Sequence, residues 1–240
     1  MTQWFEAGHV AIVTGGSCGL GKALARELVT RGVHTIIGGR RHAVLEAAAD
    51  ELGRLGPVTA IAGDVAEKHH AHALVAVARK LGRLDLLVNN ASTLGETPLP
   101  RIDELSQTTF DELFTVNVFA PIHLIQHALP LLALQDLATI VNITSDAGVE
   151  AYPGWGGYGA SKAALEHISR VLATEIEGTN VRVLVADPGD MNTEMHRAAI
   201  PDADVTQLRD PAASARALVQ AIAGMKTPFE RLRLAELVPA

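Results

Sequence analysis

Short apolar runs recur along the chain, each followed by a longer stretch whose apolar positions repeat at helical spacing. Residues 9–14, His-Val-Ala-Ile-Val-Thr, form a β-branched run that predicts a buried parallel strand. Leu20, Ala23, Leu24 and Leu28 then lie on one stripe, which predicts a helix up to Arg31. The same reading places strands at 33–38, 58–62, 84–88, 138–145 and 181–186, with a last one at 231–237 where charge and leucine alternate. Helices are predicted at 43–55, 67–81, 110–134, 158–177 and 211–223. The long one at 110–134 carries Asn117 inside it and is expected to bend at Pro121. Strand and helix alternate throughout, with no linker, repeat or low-complexity stretch between them. This order predicts an α/β fold: one domain over residues 1–240, a doubly wound parallel sheet of about seven strands with helices on both faces.

Ligands of such sheets lodge at the carboxyl ends of the strands, and the glycine-rich and polar segments of this chain fall there. After the first strand comes Thr14-Gly15-Gly16-Ser17-Cys18-Gly19-Leu20-Gly21, with Gly15, Gly19 and Gly21 spaced Gly-x-x-x-Gly-x-Gly. Glycine lets the chain turn tightly and lets a diphosphate approach the backbone, and the helix start beyond it offers free N–H groups. Strand, turn and helix together predict a Rossmann-like dinucleotide site, with Gly15, Ser17, Gly19, Leu20 and Gly21 as candidate contacts. The second strand ends in Gly38-Gly39-Arg40-Arg41, with no acid to hold an adenosine ribose. Gly39 leaves room there, and Arg40 offers a fork of donors suited to phosphate. That favours NADP over NAD, although the two arginines would also serve as a solvated loop. Asp64, followed by Val65, either accepts from an adenine amino group or caps the next helix. Asn89 and Asn90 end the fourth strand, where such side chains lock a turn and hold neighbouring strands. Pro188, Gly189 and Thr193 close the sixth.

The stretch from Ser145 to Lys162 carries the candidate chemistry. Tyr158 and Lys162 are four apart, so on a helix they share one face. An ammonium near a phenol favours phenolate and lowers its pKa from about 10, which suits a general acid–base near neutral pH. Ser145, at a strand tip facing the same crevice, is placed to hydrogen-bond a substrate oxygen. A Tyr–Lys pair at this spacing also occurs as plain surface decoration. His69, His70 and His72 cluster on the helix at 67–81 but lack a carboxylate–histidine pattern; they read as a solvated face, and no metal site is predicted.

Composition narrows the function classes. The net charge is −7 without a basic run, which argues against double-stranded nucleic acid. No apolar run reaches the roughly 18 residues of a membrane span, and the start lacks a basic region followed by an apolar one. Cys18 is the single cysteine, so no internal disulfide forms, and a cytoplasmic setting is expected. Cys18 itself reads as a small loop residue.

The motifs together resemble the short-chain dehydrogenase/reductase family. The matching residues are Thr14-Gly15-x-x-x-Gly19-x-Gly21, Asp64, Asn89-Asn90-Ala91, Asn117, Ser145, Tyr158-x-x-x-Lys162 and Pro188-Gly189-x-x-x-Thr193, in family order over roughly residues 9–195. The resemblance implies reversible hydride transfer between NADP(H), or NAD(H), and a small carbonyl or alcohol substrate. It implies that Tyr158 is the acid–base, that Ser145 orients the reacting oxygen, and that Lys162 holds the nicotinamide ribose and lowers the phenol pKa. Asn117 would hold a water that relays protons, and Pro188, Gly189 and Thr193 would lie along the nicotinamide. A homodimer or homotetramer is implied as well. Two departures stand out. Ser92 replaces the glycine usual after Asn-Asn-Ala, which would strain the turn or narrow the pocket. The chain ends Ala235-Glu236-Leu237-Val238-Pro239-Ala240 rather than in an Asp-Gly-Gly segment. The segment 191–210 would be a short substrate lid, with Met191, Met195, His196, Trp155 and Leu94 lining an apolar pocket or packing on the sheet. The rival readings are a silent nucleotide-binding sensor or scaffold, and an isomerase or dehydratase that uses the nucleotide transiently.

Overall fold

In the computed structural model, which describes residues 5–237, the apolar runs become Val10–Thr14 (β1), His34–Gly39 (β2), Val58–Ala62 (β3), Leu86–Asn89 (β4), Ala138–Ile143 (β5), Val181–Asp187 (β6) and Phe229–Arg233 (β7). The sequence expectations on how the chain starts and ends fall partly on residues 1–4 and 238–240, which lie outside the described residues. All neighbouring strands pair parallel, in the order β3-β2-β1-β4-β5-β6-β7. The fold is therefore the Rossmann-like seven-stranded α/β sheet that the alternation predicts. From β1 the chain winds outward to β3, then returns to the other side of β1 at β4. That reversal leaves a crevice above the carboxyl ends of β1 and β4.

The strands are apolar on both faces because both faces are covered. Ala11 and Val13 point into one cluster with Leu24, Leu28, Leu218 and Ile222, from Gly19–Val29 (α1) and Pro211–Gly224 (α8). Val10 and Ile12 point into the other, with Leu74 of Lys68–Leu81 (α3) and Leu124 of Ala120–Leu132 (α5). His42–Gly53 (α2) extends the first layer over β2, and Gly156–Glu175 (α6) joins the second beside β5 and β6.

Three expectations change. The helix predicted at 110–134 is Gln107–Phe114 (α4), a π-helical turn at Thr115–Phe119, and α5. The irregularity is the π-turn around Asn117, the residue four before Pro121, where a proline inside a continuous helix removes an N–H and crowds the carbonyl. The whole segment Gln107–Leu132 is long and apolar enough by length and composition to span a membrane. Yet 56% of its most apolar window is buried inside the fold, with Leu124, Ile125, Ala128 and Leu132 in the core, so it is a core helix. The last strand begins and ends earlier than predicted, at Phe229–Arg233, because residues 234–236 turn to bury Leu234.

The third change concerns His70. His69 is exposed, and His72 meets His127 edge-on on the surface, but His70 is turned by helical spacing under the ends of β2 and β3 and is 1% exposed. A β-carbon at Gly63 would collide with its ring, and its Nε2 has no hydrogen-bond partner. Burial, then the neighbouring His69, push its pKa below the ordinary 6.5. The unfolded chain therefore takes up this proton at a higher pH than the folded one, and stability is lost as pH falls below 6.5. His34 and His123 are shifted the same way, also by burial. Urea unfolding near pH 7.5 and about pH 5.5 should show a smaller acid loss for His70→Leu than for the wild type. Equal losses would contradict this account of His70.

Candidate active site

The crevice is a cavity of about 810 Å³ along the carboxyl edge of the sheet. Of the candidate catalytic and cofactor-binding residues, all but Gly21 and Asn117 line it. One end is the glycine turn after β1. Gly16 N–H donates to Gly38 O at 3.0 Å, tying the turn to β2. Gly19 has φ +51 and faces Thr193, which a β-carbon would meet at 3.4 Å. Gly21 does not face the cavity: a β-carbon there would collide with Gly15 O, so its part is to let α1 pack on the turn. The N-cap Cys18 makes no side-chain cap and the first turn of α1 holds no acid, so its N–H groups face the crevice unclaimed by side chains. That donor set fits a diphosphate.

At the same end, Arg40 is exposed and its Nη1 lies 3.7 Å from Asp64 Oδ2. Arg41 Nη2 donates to Glu194 Oε2 at 3.1 Å and approaches Cys18 Sγ at 3.5 Å. Asp64 Oδ1 accepts from Ala66 N–H at 2.9 Å. It closes a turn and does not cap α3, whose N-cap is Glu67, so the capping alternative falls away.

The middle of the crevice is held by side chains at the strand tips. Thr14 Oγ1 accepts from Asn90 N–H and Ala91 N–H, each at 3.0 Å, and Asn90 Nδ2 donates to Thr14 O at 2.8 Å. Asn89 Nδ2 donates to Asn142 Oδ1 at 2.8 Å, and Asn142 Nδ2 to Ser169 Oγ at 2.7 Å, fixing β4 to β5 and α6. Thr14 carries no site role in the sequence reading; the signal was a hydroxyl at the strand's last position.

At the other end stands the candidate chemistry. Tyr158 lies in the first turn of α6, 8% exposed, with Lys162 one turn on and 3% exposed. Lys162 Nζ is 5.4 Å from the centre of the Tyr158 ring and donates to Ile143 O at 3.0 Å. Ser145 and Ser92 line the crevice with the phenol, and their hydroxyls favour its charged form. Ser145 also donates to Asp146 Oδ1 at 3.0 Å. The expected lowering of the phenol pKa by Lys162 is not what this geometry gives. Burial pushes the phenol well above its ordinary range, Asp187 and Asp146 push it further, and the two serine hydroxyls oppose them. Burial likewise pushes Lys162 down to about 8. Desolvation of both groups outweighs their proximity.

Asn117 lies behind the crevice, 1% exposed. Its Oδ1 accepts from Ser92 Oγ and Thr93 N–H, each at 2.9 Å, and its Nδ2 donates to Thr93 O and Ser161 Oγ, each at 3.0 Å. Ser92, which the sequence marked only as a departure, thus joins Asn117 to the lining of the crevice. Beyond Tyr158, the segment 191–210 expected to be a lid contains Glu194–Ala199 (α7) and a bridge between Met191 and Arg209. Leu94, Trp155, Met195 and Ala199 pack as an apolar wall beside the phenol, with Trp155 edge-on to Tyr158 at 5.6 Å. Met191 packs instead against the α1–α8 side of the core while still lining the cavity.

A nucleotide-type crevice on a doubly wound sheet, ending in a buried phenol and ammonium, defines an α/β enzyme of the Rossmann-like class. The model of the short chain dehydrogenase family matches residues 9–204, and the chain belongs to that family of oxidoreductases. An uncharacterized oxidoreductase of Bacillus subtilis (strain 168) is 31% identical over 185 residues, spanning 77% of this chain and 69% of its own. The 3-oxoacyl-(acyl-carrier-protein) reductase of rhamnolipid biosynthesis in Pseudomonas aeruginosa is 34% identical over 197 residues, spanning 80% and 76%. Among solved structures, a short chain dehydrogenase from Pseudomonas syringae superposes with a TM-score of 0.86 at 30% identity, with 96% of each chain covered. The 7α-hydroxysteroid dehydrogenase complexed with NADH and 7-oxo glycochenodeoxycholic acid gives 0.85 at 26% identity, covering 96% of this chain and 94% of that one.

Lysine side-chain NMR tests the electrostatics. One Lys Cε resonance should titrate at about pH 8, missing in Lys162→Met. Titration of every lysine near the ordinary value of about 10.4 would contradict it.

Proposed function

We propose that this protein transfers hydride reversibly between NADP(H) and the carbonyl or carbinol carbon of a small, largely apolar substrate. The observation that carries the reading is the cluster of buried Tyr158 and Lys162 with half-buried Ser145 at one end of a crevice whose other end is a glycine turn and an uncapped helix start. The nicotinamide, when bound, supplies hydride to the carbonyl carbon or accepts it from the carbinol. The chain's own residues supply the rest. Tyr158 keeps its proton at neutral pH because burial disfavours phenolate, so it is the acid that protonates the carbonyl oxygen as hydride arrives. Ser145 donates to the same oxygen and steadies its developing charge. Lys162, held by Ile143 O, binds the nicotinamide ribose and provides a nearby ammonium when the phenol must give up its proton. Asn117 acts from behind through Ser92 and the Thr93 backbone, on the segment where a relay water would sit.

In this reading the N–H groups around Gly15, Ser17, Gly19 and Leu20 hold the diphosphate. Asp64 and Val65 border the adenine, and Asn90, Pro188, Gly189 and Thr193 border the nicotinamide. The NADH bound in the 7α-hydroxysteroid dehydrogenase supports a nicotinamide cofactor. The absence of an acid after β2, with Arg40 and Arg41 at the rim, supports a 2′-phosphate and hence NADP. The wall of Leu94, Trp155, Met195 and Ala199 favours an apolar substrate body. Cytoplasmic residence and assembly as a homodimer or homotetramer belong to the same proposal.

A panel of ketones and secondary alcohols, followed through reduced-nicotinamide absorbance with both cofactors, tests it. Turnover is expected, with a loss of about 10²–10⁴-fold in kcat for Tyr158→Phe while nucleotide binding persists. Arg40→Ala should weaken NADP more than NAD. Near-normal turnover in Tyr158→Phe would remove the acid–base role, and equal weakening of the two nucleotides would remove the phosphate reading.

A further inference from the structure

One buried carboxyl group at the reacting end has no part in the proton transfer. Asp187 ends β6, is 5% exposed, and lines the crevice with Tyr158, Lys162 and Gly189. Its Oδ1 accepts from Gly189 N–H at 3.0 Å, which fixes the carboxyl plane above the Pro188–Gly189 turn. Its Oδ2 lies 3.9 Å from Arg233 Nε. That guanidinium is 38% exposed and is shared with Glu150 Oε1 at 3.3 Å, so it offsets the Asp187 charge only in part. The other guanidinium of the same strand, Arg231, is committed to Glu166 by bonds of 2.8 and 3.0 Å. Asp146 adds negative charge to the same end, and Lys162 lines it as well. The field of Asp187 reaches the reacting atoms, since it helps raise the phenol pKa.

The two redox forms of a nicotinamide differ by one unit of charge on the ring. The oxidised ring is cationic and the reduced ring neutral, so a fixed carboxylate in a partly desolvated crevice acts on one form and hardly on the other. We propose that Asp187 is a specificity-determining residue for the cofactor's oxidation state: its carboxylate stabilises the bound oxidised nicotinamide relative to the reduced one. This rests on the proposed function, which places the nicotinamide beside Pro188 and Gly189. It assigns Asp187 an effect on the balance between the two directions of the reaction, separate from the proton chemistry of Tyr158.

Calorimetric titration of the whole protein with NADP⁺ and with NADPH, without substrate, tests it. Asp187→Asn keeps an acceptor for Gly189 N–H and removes only the charge. It should weaken NADP⁺ about tenfold and change NADPH by less than about twofold. Arg233→Gln, at the exposed rim, removes the partial counter-charge and should tighten NADP⁺ relative to NADPH by about two- to threefold. This second variant keeps the test open should Asp187→Asn fold poorly. Equal weakening of both nucleotides by Asp187→Asn would overturn the proposal and leave Asp187 as a clamp on the turn. So would no change in either variant. If the wild type binds neither nucleotide, the proposed function fails, and this inference with it. If it binds both and the variants shift both alike, only this inference fails.

Discussion

The Thr14 hydroxyl fastens the two central strands at the point where the chain reverses direction. It accepts two backbone N–H groups from the end of β4 and donates to Val88 O at 3.3 Å, all in a setting where water does not compete. Everything on the carboxyl edge is referred to that junction. The glycine turn leaves from Thr14, the Asn90 side chain returns to it, and Ser92 and Thr93 begin from it toward Asn117. A similar fastening lies on the other side of the site. Thr144 donates to Glu166 at 2.7 Å, and Glu166 is paired with Arg231 of β7, so the residue before Ser145 is held by a buried ion pair. Two polar anchors thus add side-chain bonds at the ends of strands whose middles are held by the backbone ladder and apolar packing.

The same burial that makes these anchors firm shapes the chemistry. Tyr158 and Lys162 share one face of α6, and both have lost most of their water. A phenol in that setting keeps its proton and an ammonium sheds its own more readily, so each moves away from its charged form. Proximity of the pair alone suggested the opposite for the phenol. The crevice therefore ends in a phenol that holds its proton, which is what the proposed acid requires.

Much of this was legible in the residues. The runs at β1 and β3 read as strands because parallel strands covered on both faces need unbroken apolar sequence, and the glycine turn read as a nucleotide loop because strand and helix flank it. What stayed hidden depends on contacts between distant segments. Asn117 in the π-turn bonds Ser92, Thr93 and Ser161, none of which appears in helical periodicity. His70 differs from His69 only in which way one helical step points it. Ser92 read as a fault in a motif, yet its hydroxyl holds Asn117 from the crevice side. Asp187 and Asp146 act through the field of a folded crevice, which spacing along a chain does not report.

The central claim is that hydride passes directly between a bound nicotinamide and the substrate carbon beside Tyr158. The most direct measurement uses reduced cofactor carrying deuterium at the transferring C4 position, with a ketone that turns over. Mass and NMR analysis should place one deuterium on the carbinol carbon of the product, from a single face of the nicotinamide. Product formed without the label on that carbon would contradict the account.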